Sequence, residues 1–390
     1  MRRVLLMTAS FGSGHNQAAY AVMEALKEKD AEVEVVDYVG LLNPALRSFA
    51  KFSLIQGVKR APGLYGLFYK SMSRIDPDSA LQRYVNHIGI ERIQEFIACY
   101  RPDCIASTFP TPMGVVGELR RAGKIDIPNL SIVTDYTAHR QWYHDFSDHY
   151  FVATDEVKRD LVSYGIPEDA VDVVGIPLRR KFREENVQRL LAHRSELIRS
   201  MGFQEEIPII LLMGGGSGIL ADPGVWESFI PESGMQYLII CGHNRRLERR
   251  FSALQSDRVR VFGYTNEIEK FMAMADLIVT KPGGLTLTES IAMRLPLLIY
   301  RPIPGQEEAN ARFAEQAGVA VCVKTPVEAQ GFLMSVREDP SILSRMREAC
   351  SSMPSCGAAE RIAEKIMLYA TKKLPCRSVS PEWPPELLPT

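Results

Sequence analysis

Val4-Leu5-Leu6-Met7-Thr8 runs through Ala9-Ser10 into Phe11-Gly12-Ser13-Gly14-His15. A short, unbroken apolar run is the signature of a strand covered on both faces, as in parallel sheets. Two glycines end it, and Ala18, Ala19, Val22, Met23 and Leu26 then recur at helical spacing. Val33 to Val36 supply the next strand, so the opening reads strand, tight turn, helix, strand. Met1-Arg2-Arg3 before an apolar run has the look of a leader peptide, but the run stops at Thr8, too early for one.

The same alternation continues outward. Residues 104–107, 130–134 and 150–153 read as strands. After Gly175-Ile176-Pro177 and a charged helical stretch over 179–201, the pattern restarts at 208–213 and enters Gly214-Gly215-Gly216-Ser217-Gly218. Further strands are expected at 237–241, 259–262, 277–280, 297–300 and 319–323, and helix over 341–370. Strands alternating with helices predict an α/β fold with two parallel, Rossmann-like sheets. Ligands of such sheets bind outside the strand carboxyl ends, which places a site in the interdomain cleft. The expected division is 1–175, 176–345, a helix over 346–370 crossing back to the first domain, and a flexible proline-rich tail over 371–390.

Composition narrows the function. At 390 residues, with roughly 150 per domain, small modules are excluded, and 46 basic against 47 acidic side chains give nucleic acid no global attraction. Seven scattered cysteines with no C-x-x-C pair argue against a disulfide framework and a zinc site, and for a reducing, cytoplasmic compartment. His139, His144 and His149 are five apart and do not stack on one helix face, so no metal is expected. No stretch reaches the ~18 apolar residues of a membrane span.

Several constellations bear chemistry. Gly12-Ser13-Gly14-His15 brings helix-start N–H groups toward a ligand, a geometry suited to phosphate. Gln17 breaks the G-x-G-x-x-G pattern, although Asp37 stands where a ribose-binding acid would. His15 is placed for general-base work, with a helix cap as the bland alternative. Thr280-Lys281-Pro282-Gly283-Gly284 opens a helix carrying Glu289, an acid able to accept two ribose hydroxyls. Gly305-Gln306-Glu307-Glu308-Ala309-Asn310 follows an apolar strand with partners suited to sugar hydroxyls. The glycines of 214–218 suit close approach to a diphosphate, without the lysine of a P-loop. Thr134-Asp135-Tyr136 ends another first-half strand, and Asp76-Pro77-Asp78 reads as a turn.

The charge map is uneven. From Tyr38 to Ile75 there is no Asp or Glu, while Arg47, Lys51, Lys59, Arg60, Lys70 and Arg74 interleave with Phe49, Phe52, Tyr65, Phe68 and Tyr69. Such a segment suits an anionic lipid surface, at ~1 kcal/mol for each basic residue near it. Helices packed on the sheet with basic solvent faces are the alternative.

In order, these motifs resemble the monogalactosyldiacylglycerol synthase and bacterial processive diacylglycerol glucosyltransferase family, over about residues 3–370. More distantly they resemble the enzyme that adds N-acetylglucosamine to peptidoglycan lipid I. The resemblance implies a GT-B glycosyltransferase that moves hexose, glucose being expected, from a UDP-hexose to diacylglycerol or glycosyl-diacylglycerol with inversion, without a metal or other cofactor. It implies His15 as base, with Asp135 orienting either that base or the acceptor. Gly14, Gly215, Gly216 and Ser217 would lie near the diphosphate, with Lys281, Gly283 and Gly284 also on the donor. Glu289 would take the ribose, and Gln306, Glu307 and Asn310 the hexose. Arg47, Phe49, Lys51, Phe52, Lys59, Arg60, Tyr65, Phe68 and Tyr69 would meet acceptor and membrane, on the inner face of the cell membrane. Glu308 stands where many plant relatives have a small residue, which leaves glucose against galactose open. A polyprenyl-linked acceptor and a silent UDP-sugar-binding regulator are the alternative functions.

Overall fold

The computed structural model describes residues 1–10, 12–42, 79–353 and 357–373. The basic aromatic positions between Arg47 and Tyr69, the Asp76-Pro77-Asp78 turn and the proline-rich tail from 374 onward lie outside them.

Two six-stranded sheets, parallel throughout, form the two halves. The first holds β1 (Arg3–Thr8), β2 (Glu32–Asp37), β3 (Cys104–Ser107), β4 (Asn129–Ile132), β5 (His149–Val152) and β6 (Val171–Val173), in the order β2-β1-β3-β4-β5-β6. The second holds β7 (Ile209–Met213), β8 (Gln236–Ile240), β9 (Val259–Phe262), β10 (Leu277–Thr280), β11 (Leu297–Tyr300) and β12 (Ala320–Val323), ordered β12-β11-β10-β7-β8-β9.

Burial explains why the deciding runs were apolar throughout. Val4 and Leu6 of β1 face one core while Leu5 and Met7 face another. In β7, Ile209 and Leu211 join one core and Ile210 and Leu212 its opposite. Each run is buried on both sides of its sheet, so no polar alternation is possible. The glycine-bearing turns follow β1 and β7, the strands beside which each strand order reverses. At such switch points open sheets leave a crevice for ligand.

Two helical expectations are corrected. The stretch 179–201 is not one helix: a 3-10 turn (Arg180–Phe182) precedes helices Glu184–Ala192 and Arg194–Ser200. The stretch 341–370 divides into helices Ser341–Ser352 and Ala358–Ala370, with Gly357 at φ 83 before the second. Leu343 and Met346 of the former belong to a second-half core, whereas Ile362, Ala363 and Ile366 of the latter pack into the first-half core with Val22 and Leu26. Among the described residues no helix is long and apolar enough to cross a membrane.

Candidate active site

A cavity of about 510 Å³ lies between the halves, at the carboxyl ends of both sheets. It falls within the range of small-molecule sites. His15, Asp135 and all eleven residues expected on the donor line it, although they come from positions 14 to 310 in the chain. Glu308 does not line it, because one residue along the helix Gln306–Gln316 from Glu307 turns the side chain by about 100°.

The turn after β1 is held by side chains. Asp37 accepts from the Ser10 amide and hydroxyl at 3.0 and 2.6 Å, and also from the Val39 amide. Asn16 bonds Ser10 Oγ and accepts from Thr8 Oγ1. Asp37 is therefore a bolt for this turn and does not serve as a ribose acid. The helix Ser13–Lys27 starts at once, with its first N–H groups, which have no partners inside the helix, at the cavity.

His15 is the third residue of that helix. Its Nδ1 lies 3.0 Å from the Thr108 carbonyl and 2.8 Å from Thr134 Oγ1, and its ring meets Phe109 edge-on. A carbonyl only accepts, so Nδ1 carries the proton of the neutral ring and Nε2 keeps its lone pair. Burial pulls His15 below its ordinary pKa, against Asp135 and the Thr108 carbonyl, which favour the charged ring. Burial likewise holds neighbouring His139 down at about 4.

Asp135 and Tyr136 join the halves. Asn310 Nδ2 donates to Asp135 Oδ1 and to the Pro282 carbonyl, both at 3.0 Å, while Asn310 Oδ1 accepts from the Tyr136 amide at 2.9 Å. Both amide hydrogens of this buried side chain are thus engaged, one across to the first half and one within the second, although the motif suggested a sugar reader. Tyr136 stacks on Phe313 at 4.0 Å and bonds Thr288 at 2.9 Å. A side chain on Gly284 would fall on the Thr134 carbonyl, so that glycine permits the halves to meet.

On the opposite wall, Gly215, Gly216 and Ser217 face the first turn; a Cβ on Gly216 would come 2.7 Å from Ser13 Oγ. Glu289 lies on the helix Gly284–Ala292. Burial pushes its pKa up to about 7, with Lys181 pulling it down and Glu269 pushing it further. Burial also raises Glu307, which accepts from the Ile303 amide and lies 3.8 Å from Lys281. Sequence reasoning missed Arg179, Lys181 and Tyr264 on the cavity wall. Arg179 bonds Glu24 and Gln17 of the first helix. Only Arg179 stood near a local signal, two residues after the Gly175-Ile176-Pro177 motif.

Residues 15–178 match the profile of the monogalactosyldiacylglycerol synthase family, and residues 232–352 that of the group 1 glycosyl transferases. The chain is 30% identical over 370 residues to a processive diacylglycerol beta-glucosyltransferase of Bacillus cereus (strain AH187), spanning 94% of this chain and 93% of that one. Among solved structures, Acinetobacter baumannii MurG superposes with a TM-score of 0.61 at 17% identity, over 94% of this chain and 99% of the other. The UDP complex of S. aureus MnaA gives 0.63 at 15%, over 95% and 97%. At these identities the structural likeness is one of fold.

Proposed function

The chain belongs to the processive diacylglycerol β-glucosyltransferase family and is a glycosyltransferase, and from that premise we propose that it moves glucose from UDP-glucose to diacylglycerol with inversion. The facing doubly wound halves are the GT-B arrangement, with acceptor chemistry assigned to the first half and the nucleotide sugar to the second. The observation that carries the reading is the His15 ring at the cleft. Burial disfavours its charged form, its Nδ1 proton is directed at the Thr108 carbonyl, and its Nε2 keeps the lone pair that can take a proton.

In this mechanism the acceptor hydroxyl oxygen attacks the anomeric carbon, the bond from that carbon to the diphosphate oxygen breaks, and the hydroxyl proton passes to His15 Nε2. Asp135 stabilises the imidazolium that forms. UDP leaves against the N–H groups at the first helix start and the glycines opposite, which are dipoles fixed before reaction. Glu289 accepts ribose hydroxyls, and Gln306 and Glu307 face the hexose, while Asn310 holds the two walls together. No step in this scheme calls on a metal. The basic aromatic segment over 38–75 holds the enzyme on the anionic inner face of the membrane, where diacylglycerol and its glucosylated product are both available for repeated transfer.

The test is purified protein with UDP-[14C]glucose and diacylglycerol in anionic vesicles. Labelled β-linked glycolipid is expected, with mass spectrometry giving the number of sugars. No labelled lipid with any UDP-hexose overturns the reading. Lys59→Glu with Arg60→Glu should weaken vesicle sedimentation, and unchanged binding at low salt removes the membrane role of that segment.

A further inference from the structure

The connection between the halves carries three cations in four residues, and they do not face the same way. Arg180 pairs with Glu28 at 3.1 Å, and Arg183 with Glu28 and Glu360 at 2.7 Å each, all toward the first half and the last helix. Lys181 turns into the second half. Its Nζ donates to the Asn266 carbonyl at 2.6 Å and pairs with Glu269 at 2.8 Å, and the residue lines the same cavity as Asn266 and Glu289.

Glu269 and Glu289 are both buried, and they repel. Two carboxylates that share a low-dielectric wall without a cation cannot both ionise near neutral pH, and one keeps its proton. Lys181, from the connection, and Glu269, from the helix Ile268–Met274, are the charged groups acting on Glu289. His15 and Asp135 of the first half face the same cavity, and Arg347 of the helix Ser341–Ser352 is engaged by Asp276.

We propose that Lys181 is a positioning residue of the nucleotide subsite, whose ammonium, anchored on Glu269 and the Asn266 carbonyl, keeps Glu289 in the carboxylate form that accepts both hydroxyls of a ribose. This rests on the reading of Glu289 as the ribose acid. The connecting segment thereby takes part in donor recognition, besides joining the halves.

The experiment is calorimetric titration of the full chain with UDP and with 2′-deoxy-UDP between about pH 5.5 and 8.5. Wild-type affinity for UDP is expected to rise with pH and level off above about 7, following Glu289 ionisation. Lys181→Met moves that rise upward by about one pH unit and weakens UDP binding at neutral pH roughly tenfold. Lys181→Arg restores it. In turnover the Lys181→Met loss falls on the donor KM rather than on kcat. Glu289→Gln flattens the pH dependence and removes the preference for UDP over the deoxy analogue. An unchanged midpoint in Lys181→Met, with Glu289→Gln behaving as stated, overturns the role of Lys181 and leaves the ribose reading standing. Wild-type behaviour of Glu289→Gln overturns both. If Lys181→Met does not fold, Glu269→Gln reads the same network from its other side: the midpoint moves down, and an unmoved midpoint counts against the proposal.

Discussion

The turns after β1 and β7 look alike as sequence, each an apolar run entering a cluster of glycines, and they face each other across the cleft. Their construction differs. In the first, Gly12 has extended backbone at φ 177, and a Cβ on Gly14 would make only an ordinary 3.6 Å contact with Leu285. Side chains of Thr8, Ser10, Asn16 and Asp37 hold its shape. In the second, Gly215 and Gly218 have φ of 70 and 59, and a Cβ on Gly214 would meet the Ile219 backbone at 2.5 Å. Mostly backbone holds this turn: Gly218 N–H donates to the Gly215 carbonyl and His243 N–H to the Gly216 carbonyl, with one side chain, Asn244, donating to the Gly218 carbonyl. No helix follows until Pro223–Phe229. A glycine cluster therefore signals two different needs. The second turn needs its glycines to exist, whereas the first can fold without them and keeps a bare surface at the mouth of the cavity.

The contrast is open to direct attack. Gly218→Ala should be the most damaging change, because its Cβ falls on the Cys241 carbonyl and its φ disfavours any side chain. A loss of about 3 kcal/mol or more is expected in denaturant unfolding, and a stable variant would remove the distinction between the turns. His15→Ala tests what the first turn is for: kcat should fall about 10²- to 10⁴-fold, with the thermal midpoint little changed. Retained turnover would dismiss His15 as the base.

Glu289→Gln probes the wall beside the second turn. Its carboxyl holds its proton to about 7 in the fold, against an ordinary 4.5. Between those values the unfolded chain ionises first, so rising pH weakens the native state, until a penalty of order 3 kcal/mol is fully present above the native value. The Gln variant should therefore melt higher than wild type at about pH 8 and no higher near pH 4.5, and equal melting at both would contradict the burial of this acid. Gly14→Ala should have the smallest effect on stability, within about 1 kcal/mol and in the stabilising direction for a helical position. Its weight should fall on UDP affinity instead, and a large drop in melting temperature would show that the first turn needs glycine as much as the second.

Features legible in the sequence were those encoded over a few adjacent residues. β1 and β7 were readable because burial on both faces removes every polar residue from the run. β6 was missed: Val171-Asp172-Val173 is three residues long, pairs only with β5 and carries no pattern longer than itself. The glycine turns and Glu289 announced themselves by local company. Lys181 and Tyr264 did not, since a lysine in a charged stretch and a tyrosine after a strand are unremarkable until the fold brings them to one wall. Asn310 shows the same limit from the other side. Its motif pointed to a sugar, but only the packing of the second half against Asp135 and Tyr136 shows that its amide spans the two halves.

Among the described residues the helix Ala358–Ala370 follows every other element of both halves in the order of synthesis, yet it covers the first sheet of the chain. Val4, Leu6, Val22 and Leu26 share a core with Ile362, Ile366 and Tyr369. On the ribosome, the first half must wait with one apolar face uncovered while the whole second half is made. A premature stop just before this helix would thus harm the amino-terminal half, the part of the protein farthest from the lesion in the gene, and leave the second half with its own cores complete.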